Sequence, residues 1–168
     1  MDLLLILAIC FFLGSLPTAY ILVKRIFQKD IRKIGSGNPG MMNVLDNFGK
    51  RYAYFVGTID ILKGIIAVSI AKLYSPNETL AVLAGLTAIA GHDFTPFLKF
   101  KGGNGVATGG GAVLALMPFA SGIACTTGLI TAIVVKSRRF GGNIAVILVP
   151  IMGFYMNQSN ILVFGSAL

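Results

Sequence analysis

Long apolar runs alternate with short polar segments along the chain. Residues 3–23 and 52–73 form the first two runs, and a third begins at residue 79 and must continue past Gly91 to cross a bilayer. A helix needs roughly 20 mostly apolar residues to span the hydrocarbon core. The pattern therefore predicts three transmembrane helices in the first part of the chain.

Residues 106–135 are uncharged and too long for one straight span. As a single helix they would extend about 45 Å, against a hydrocarbon core of about 30 Å. A break near Met117 and Pro118 shortens both halves and brings the basic residues that flank the stretch to one membrane face. We predict a short helical hairpin at 106–135.

Two further apolar segments follow at 144–156 and 161–168, and Pro150 is expected to kink the first. The second is too short to span, so either the C-terminus is shortened or this end lies embedded against the bundle. The predicted fold class is all-α: a polytopic helical bundle with about six membrane segments. We expect residues 1–168 to form a single polytopic membrane domain.

Composition and charge support this prediction and add an orientation. Only 12% of residues are charged, whereas soluble domains carry about 25%. The net charge is +8, but half of the 14 Lys and Arg residues lie between residues 24 and 51, in one interhelical segment. Such clustering is typical of a cytoplasmic loop that attracts anionic headgroups, not of a nucleic-acid surface. We expect an inner (plasma) membrane location with the N-terminus outside and the segments 24–51, 91–105 and 136–143 cytoplasmic.

The first polar segment contains the hexapeptide Gly-Ser-Gly-Asn-Pro-Gly at residues 35–40. Glycines permit positive φ and close approach of the main chain, so successive N–H groups can converge on an anion. Ser36 and Asn38 add side-chain donors, and Arg32 and Lys33 add positive charge. The Gly-Lys-Ser/Thr ending of a Walker A loop is absent. The pattern indicates a phosphate-binding turn.

A second glycine-rich segment, Lys-Gly-Gly-Asn-Gly at residues 101–105, leads directly into an apolar helix. The start of a helix offers unpaired N–H groups and the positive end of the helix dipole. On the predicted topology both loops face the same compartment. Together they predict a phosphate site at one face of the bilayer.

Three further titratable residues are candidates for a functional role. Asp60 and Lys63 are three residues apart in the second predicted span and share a helix face. They are either functional, as in a transporter or channel, or a pair that orients the helix. His92, the single histidine, is either a general base or phosphate ligand, or a structural loop residue. The sequence shows no metal-ligand pattern and assigns no catalytic residue.

The polar segments together resemble the bacterial acyl-phosphate:glycerol-3-phosphate acyltransferases (the PlsY family). The matching segments occur in the family's order: residues 14–20, 30–40, 43–45, 60–64, 91–92, 96–103 and 105–108. The resemblance implies seven spans and transfer of an acyl group from acyl phosphate to the 1-hydroxyl of glycerol 3-phosphate, giving lysophosphatidate for phospholipid biosynthesis. It implies no metal or nucleotide cofactor; the expected partners are these two substrates and membrane lipids.

The resemblance implies phosphate-binding roles for Ser36 and the glycines of both loops. His92, Asp60 and Lys63 are expected to support the site. The phosphate-binding residues are expected to be Gly35, Ser36, Gly37, Asn38, Asn43, Lys101, Gly102, Gly103, Asn104 and Gly105.

Several positions depart from the family pattern. Asn104 replaces a Lys that contacts phosphate, Asp46 replaces an Arg, and Gly141 and Gly142 replace a Ser-Ser pair. The chain is thus identified as a divergent member, shortened at its C-terminus. Two interpretations follow: an acyltransferase, or a catalytically degenerate relative that binds lipid or a membrane partner.

Overall fold

The structure is a computed structural model that describes residues 2–156 and 159–167. Within these ranges the chain forms α-helices joined by short loops, with two 3₁₀ turns at Ile31–Lys33 and Pro96–Leu98 and no strand, so the all-α prediction is confirmed. The helices are α1 (Leu3–Ser15), α2 (Thr18–Phe27), α3 (Met41–Phe48), α4 (Lys50–Tyr74), α5 (Glu78–Asp93), α6 (Val106–Leu116), α7 (Pro118–Val134), α8 (Arg138–Tyr155) and α9 (Asn160–Ala167).

Three helical segments of the described chain are long and apolar enough to cross a membrane, as the apolar runs predict. They are Leu3–Phe27, Lys50–Tyr74 and Glu78–Leu98. The first consists of α1 and α2, which are separated by a break at Leu16 and Pro17. Because proline has no N–H to donate, the regular ladder of helical hydrogen bonds cannot continue through this point.

The predicted break in the stretch 106–135 is also confirmed. α6 ends at Leu116, and α7 begins at Pro118, a position at which a missing N–H costs nothing. α6 packs mainly against α4, whereas α7 packs mainly against α8. The two short apolar helices therefore belong to neighbouring parts of the bundle.

The end of the bundle differs in detail from the sequence prediction. α8 begins at Arg138, so part of the predicted loop 136–143 is helical, because the Ser137 hydroxyl accepts a hydrogen bond from the N–H of Phe140 and caps the helix. Pro150 lies inside α8. The predicted segment 161–168 corresponds to α9, which packs against α8 and α5, except for residue 168, which lies outside the described residues.

Glycines lie where the central helices cross. Gly14 and Gly91 lie at the contact between α1 and α5, and Gly64 and Gly111 at the contact between α4 and α6. A Cβ atom at any of the four would collide with a main-chain carbonyl of the opposite helix. Such small residues let the backbones of membrane helices approach closely. These contacts set the spacing of the helices that carry the polar cluster described below.

The main difference from the predicted pattern is α3, within the segment read as a polar loop. Its apolar residues Met41, Val44, Leu45 and Phe48 have the i, i+3, i+4, i+7 spacing of an amphipathic helix. Val44 is fully buried in a cluster that includes residues of α2 and α4. Because many charged residues flank this short helix, the helical spacing of its apolar residues is difficult to recognise in the sequence.

Candidate functional site

The first glycine-rich loop is held by one buried side chain. Asn43 of α3 donates from Nδ2 to the carbonyls of Ile34 at 2.9 Å and Asn38 at 3.0 Å. Its Oδ1 accepts from the N–H of Ser36 at 3.3 Å and from Nδ2 of Asn47 at 2.9 Å. The amide of Asn43 thus shapes the loop from inside.

The main-chain N–H groups of residues 36–38 already have hydrogen-bond partners. The N–H of Gly37 donates to the Ile34 carbonyl at 3.0 Å, and the N–H of Asn38 donates to Oγ of Ser36 at 3.4 Å. The outward-facing nest of N–H groups that the glycines suggest is therefore absent at residues 36–38. The groups of this loop that can still contact a ligand are side chains. Ser36 is exposed, and Oδ1 of Asn38 is buried without a hydrogen-bond partner.

Two glycines of the loop adopt conformations that other residues rarely adopt. Gly35 has φ +55° and Gly37 has φ +74°. A Cβ on Gly35 would collide with the side chains of Asn43 and Asn47. These glycines are required by the shape of the turn itself.

The two cations beside the first loop are not equivalent. Arg32 forms a two-point contact with Asp30, with Nε to Oδ1 at 3.0 Å and Nη2 to Oδ2 at 2.8 Å, and lies 5.0 Å from the ring centroid of Tyr20. The Arg32 guanidinium lowers the pKa of Asp30 from 3.8 to about 2. This stabilisation is complete above pH 3.8 and is lost as the pH falls through about 2. The charge of Arg32 is therefore compensated, whereas Lys33 is exposed.

The second glycine-rich loop folds back onto the end of α5. The N–H of Gly102 donates to the Asp93 carbonyl at 2.8 Å, and the N–H of Gly103 donates to the His92 carbonyl at 3.2 Å. A Cβ on Gly102 would collide with the His92 carbonyl, and one on Gly103 would collide with Nε2 of the His92 ring. These glycines permit the loop to lie directly against the histidine.

The side chains of the second loop that point to solvent are those of Lys101 and Asn104, both exposed. Gly105, at φ +65°, precedes the first turn of α6. A Cβ on Gly105 would lie 3.0 Å from Oδ1 of Asp93, a buried oxygen without a hydrogen-bond partner. A carboxylate therefore lies beside the positive end of the α6 dipole, where the sequence pattern indicates an anion. Sequence reasoning missed this role of Asp93, although the residue follows His92 directly.

Three titratable side chains predicted to support the site form one buried cluster. Nζ of Lys63 lies 2.6 Å from Oδ1 of Asp60 and donates to the Leu16 carbonyl at 2.5 Å. Nδ1 of His92 lies 3.9 Å from the same Asp60 oxygen. In the described part of the chain, no three His, Cys, Asp or Glu side chains lie together as a metal site would need.

A small pocket lies where both loops meet the break between α1 and α2. His92 is the one titratable side chain that lines it. The lining residues are Leu16, Pro17, Pro39, His92, Thr95, Leu98, Gly102 and Gly103. Pro39 belongs to the first loop, and Gly102 and Gly103 belong to the second, so the structure brings the two loops to one place. The other predicted phosphate contacts lie on the same loops or, for Asn43, on α3, and do not line this pocket.

Comparison with known proteins agrees with this geometry. The family model for glycerol-3-phosphate acyltransferase matches residues 4–168. A glycerol-3-phosphate acyltransferase of Prochlorococcus marinus (strain MIT 9215) is 43% identical over 161 residues, which cover 94% of this chain and 80% of that relative.

Two crystal structures of PlsY (YgiH), an integral membrane glycerol 3-phosphate acyltransferase, share the fold. The glycerol 3-phosphate form has a TM-score of 0.87 at 28% identity, and the lysophosphatidic acid form has 0.85 at 27% identity. Each comparison covers 98% of this chain and 82% of the solved one. The chain is therefore an integral membrane protein that belongs to the glycerol-3-phosphate acyltransferase family.

Proposed function

We propose that this chain transfers an acyl group from acyl phosphate to the 1-hydroxyl of glycerol 3-phosphate. The hydroxyl oxygen forms a bond to the acyl carbon, the acyl–phosphate bond breaks, and the products are lysophosphatidate and inorganic phosphate. The observation that carries the proposal is the close approach of the two glycine-rich loops to each other beside His92. Membership of the family supports the same reaction.

The chemistry of the substrates suits this site. Acyl phosphate is an activated anhydride, so positioning and stabilisation of charge supply much of the required catalysis. Both substrates carry phosphate, which matches the polar side chains of the two loops at the end of apolar helices.

Phosphate binding in this proposal relies mainly on side chains. The N–H groups of Ser36, Gly37 and Asn38 already have hydrogen-bond partners, namely Oδ1 of Asn43, the Ile34 carbonyl and Oγ of Ser36. The side chains of Ser36, Lys101 and Asn104 are exposed. Oγ of Ser36 accepts from the N–H of Asn38 and keeps its own proton to donate to a phosphate. Charged donors contribute more than neutral ones. The glycines position these side chains by allowing both loops to pack closely.

We further propose that the chain is a single polytopic domain of the inner (plasma) membrane, with its N-terminus outside and its loops cytoplasmic. The contact of Pro39 and Gly103 with one pocket supports placing both loops at the same end of the bundle. The concentration of Lys and Arg between residues 24 and 51 supports a cytoplasmic location for that end.

The test is product formation by the purified chain in phospholipid nanodiscs. With acyl phosphate and radiolabelled glycerol 3-phosphate, we expect labelled lysophosphatidate at a rate proportional to protein concentration. Reactions with acyl-CoA as donor, or with heat-inactivated protein, are the controls. Absence of product above these controls would overturn the proposal and leave a lipid-binding relative.

A further inference from the structure

A short turn joins the end of α5 to the second glycine-rich loop and presents three phenylalanines outward. Phe94, Phe97 and Phe100 have exposed fractions of 60%, 61% and 64%. Between them, Thr95 and Leu98 are buried, with exposed fractions of 1% and 3%. The turn is therefore two-sided: one side packs into the bundle, and the other carries aromatic rings that the bundle does not cover.

The main chain of this turn is held in place by hydrogen bonds. The N–H of Lys99 donates to the Pro96 carbonyl at 3.2 Å, and the N–H of Phe100 donates to the Thr95 carbonyl at 2.9 Å. Oγ1 of Thr95 donates to the Ser15 carbonyl at 2.6 Å, which ties the turn to the end of α1. The exposed rings therefore belong to an ordered surface that is anchored to the bundle from within.

Two residues of the turn adopt an unfavourable main-chain conformation. Lys99 has φ +58° and Phe100 has φ +60°. Residues with large side chains rarely adopt positive φ, and such conformations persist where the surrounding structure enforces them. The turn thus keeps the ring of Phe100 exposed in a strained conformation. Strain without packing in return indicates that the rings have a partner outside the bundle.

The position of the turn indicates that this partner is lipid. The third membrane-capable segment runs from Glu78 to Leu98, so the turn lies where an apolar span ends. Lys99 is exposed and lies between Phe97 and Phe100 in the sequence. Aromatic rings with an interleaved cation match the boundary between acyl chains and anionic headgroups, where the rings leave water and the ammonium group lies beside lipid phosphate.

We propose that residues 94–100 form an interfacial anchor, in which the three phenylalanines enter the upper acyl-chain region and Lys99 binds the phosphate of an anionic lipid headgroup. The main chain of the turn then lies at headgroup depth, so a short side chain introduced there stays accessible from water. Because Thr95 and Leu98 also line the pocket, the anchor fixes the height of the pocket relative to the membrane surface. The contact with lipid does not depend on the proposed reaction.

The chain contains no tryptophan, which makes a direct measurement of depth possible. Phe97→Trp introduces a single indole, and the purified chain is reconstituted into vesicles of phosphatidylcholine and phosphatidylglycerol. Bromine placed in the upper part or near the end of the acyl chains quenches an indole at the corresponding depth, whereas iodide quenches it from water. We expect the strongest quenching from the upper bromines, and weaker quenching by iodide than for free tryptophan amide in the same buffer.

Leu83→Trp is the matched control for depth, because Leu83 is 39% exposed near the middle of α5, within the same membrane-capable segment. Its indole is expected to be quenched most by the deep bromines. Three outcomes for Phe97→Trp would overturn the proposal: iodide quenching equal to that of the free amide, the depth profile of Leu83→Trp, or protection from both bromine and iodide. They would place the turn in water, in the hydrocarbon core, or under another protein surface.

Lys99→Gln in the Phe97→Trp chain tests the headgroup contact. We expect brominated phosphatidylglycerol to be enriched beside the indole over brominated phosphatidylcholine by about two- to fivefold, and Lys99→Gln to remove this difference. Lys72→Gln is the control and should keep the difference, because Lys72 is an exposed lysine near the far end of α4 that donates to the Ala115 carbonyl at 2.6 Å. Equal quenching by both lipids before the substitution, or an enrichment that survives Lys99→Gln, would contradict the role of Lys99.

Discussion

At the scale of single residues, the site separates groups that shape the loops from groups that can reach a ligand. Asn43 belongs to the first class, because Nδ2 and Oδ1 of its side chain both form hydrogen bonds with the first loop or its flanks, and Oδ1 also with Asn47. Ser36 and Lys101 belong to the second class, because their side chains are exposed on the two loops. Substitutions in the two classes should therefore have different consequences.

Asn43→Ala is expected to destabilise the protein and disorder the first loop. Leaving buried polar partners without a hydrogen bond costs about 1–3 kcal/mol. Thermal unfolding in detergent should show a lower Tm than for the wild-type chain. Asn47→Ala is the control, because it removes side-chain bonds to Asn43 without touching the loop carbonyls. Equal losses in the two variants would refute the assigned role of Asn43.

Asn104→Lys is expected to tighten the binding of glycerol 3-phosphate. A new charged donor on the second loop contributes about 1.5–3 kcal/mol to a phosphate contact, which corresponds to about tenfold or more in affinity. Initial rates against glycerol 3-phosphate concentration should show this as a lower KM. Asn104→Gln keeps the side chain uncharged and serves as the control. Equal KM values for the Lys and Gln variants would contradict the placement of residue 104 at the phosphate site.

The sequence predicts where the site lies, but it does not predict which hydrogen bonds its polar groups form. The spacing of the glycines predicts a phosphate site in two loops, and the structure brings these two loops together. The hydrogen bond that occupies the N–H of Ser36 is accepted by Asn43, which lies on a helix that the pattern did not reveal. Likewise, the position of Asp93 beside α6 depends on how the second loop folds back.

At the scale of elements, apolar runs predict the spans because lipid imposes both length and composition. The break at Met117 was predictable because proline and length point to the same position. α3 was not, because its eight residues lie among charged neighbours and its apolar face is buried by contacts distant in sequence.

The second loop supplies a prediction at this scale. Gly102→Ala is expected to lower the Tm and the activity, because the new Cβ would collide with the His92 carbonyl. Gly110→Ala is the matched control, since a Cβ there meets nothing within 4 Å and lies in the interior of α6. The control should be neutral or stabilising by up to about 1 kcal/mol. Similar behaviour of both variants would refute the close packing of loop and helix.

At the scale of the whole molecule, three apolar helical segments are long enough to cross the membrane, and both loops meet at one end of the bundle. We expect single cysteines at positions 33 and 97 to react with an impermeant thiol reagent from one side of the membrane, and a cysteine at position 76 from the other. The native residues Cys10 and Cys125 are first replaced by Ala and Ser. Labelling of positions 33 and 97 from opposite sides would contradict the topology.

Equilibrium binding of radiolabelled glycerol 3-phosphate tests the central claim most directly: two loops form one phosphate site. The purified chain is expected to bind at one saturable site, and Ser36→Ala in the first loop or Lys101→Ala in the second should each weaken binding by about three- to tenfold or more. Absence of saturable binding, or an affinity that depends on only one of the two loops, would contradict the account.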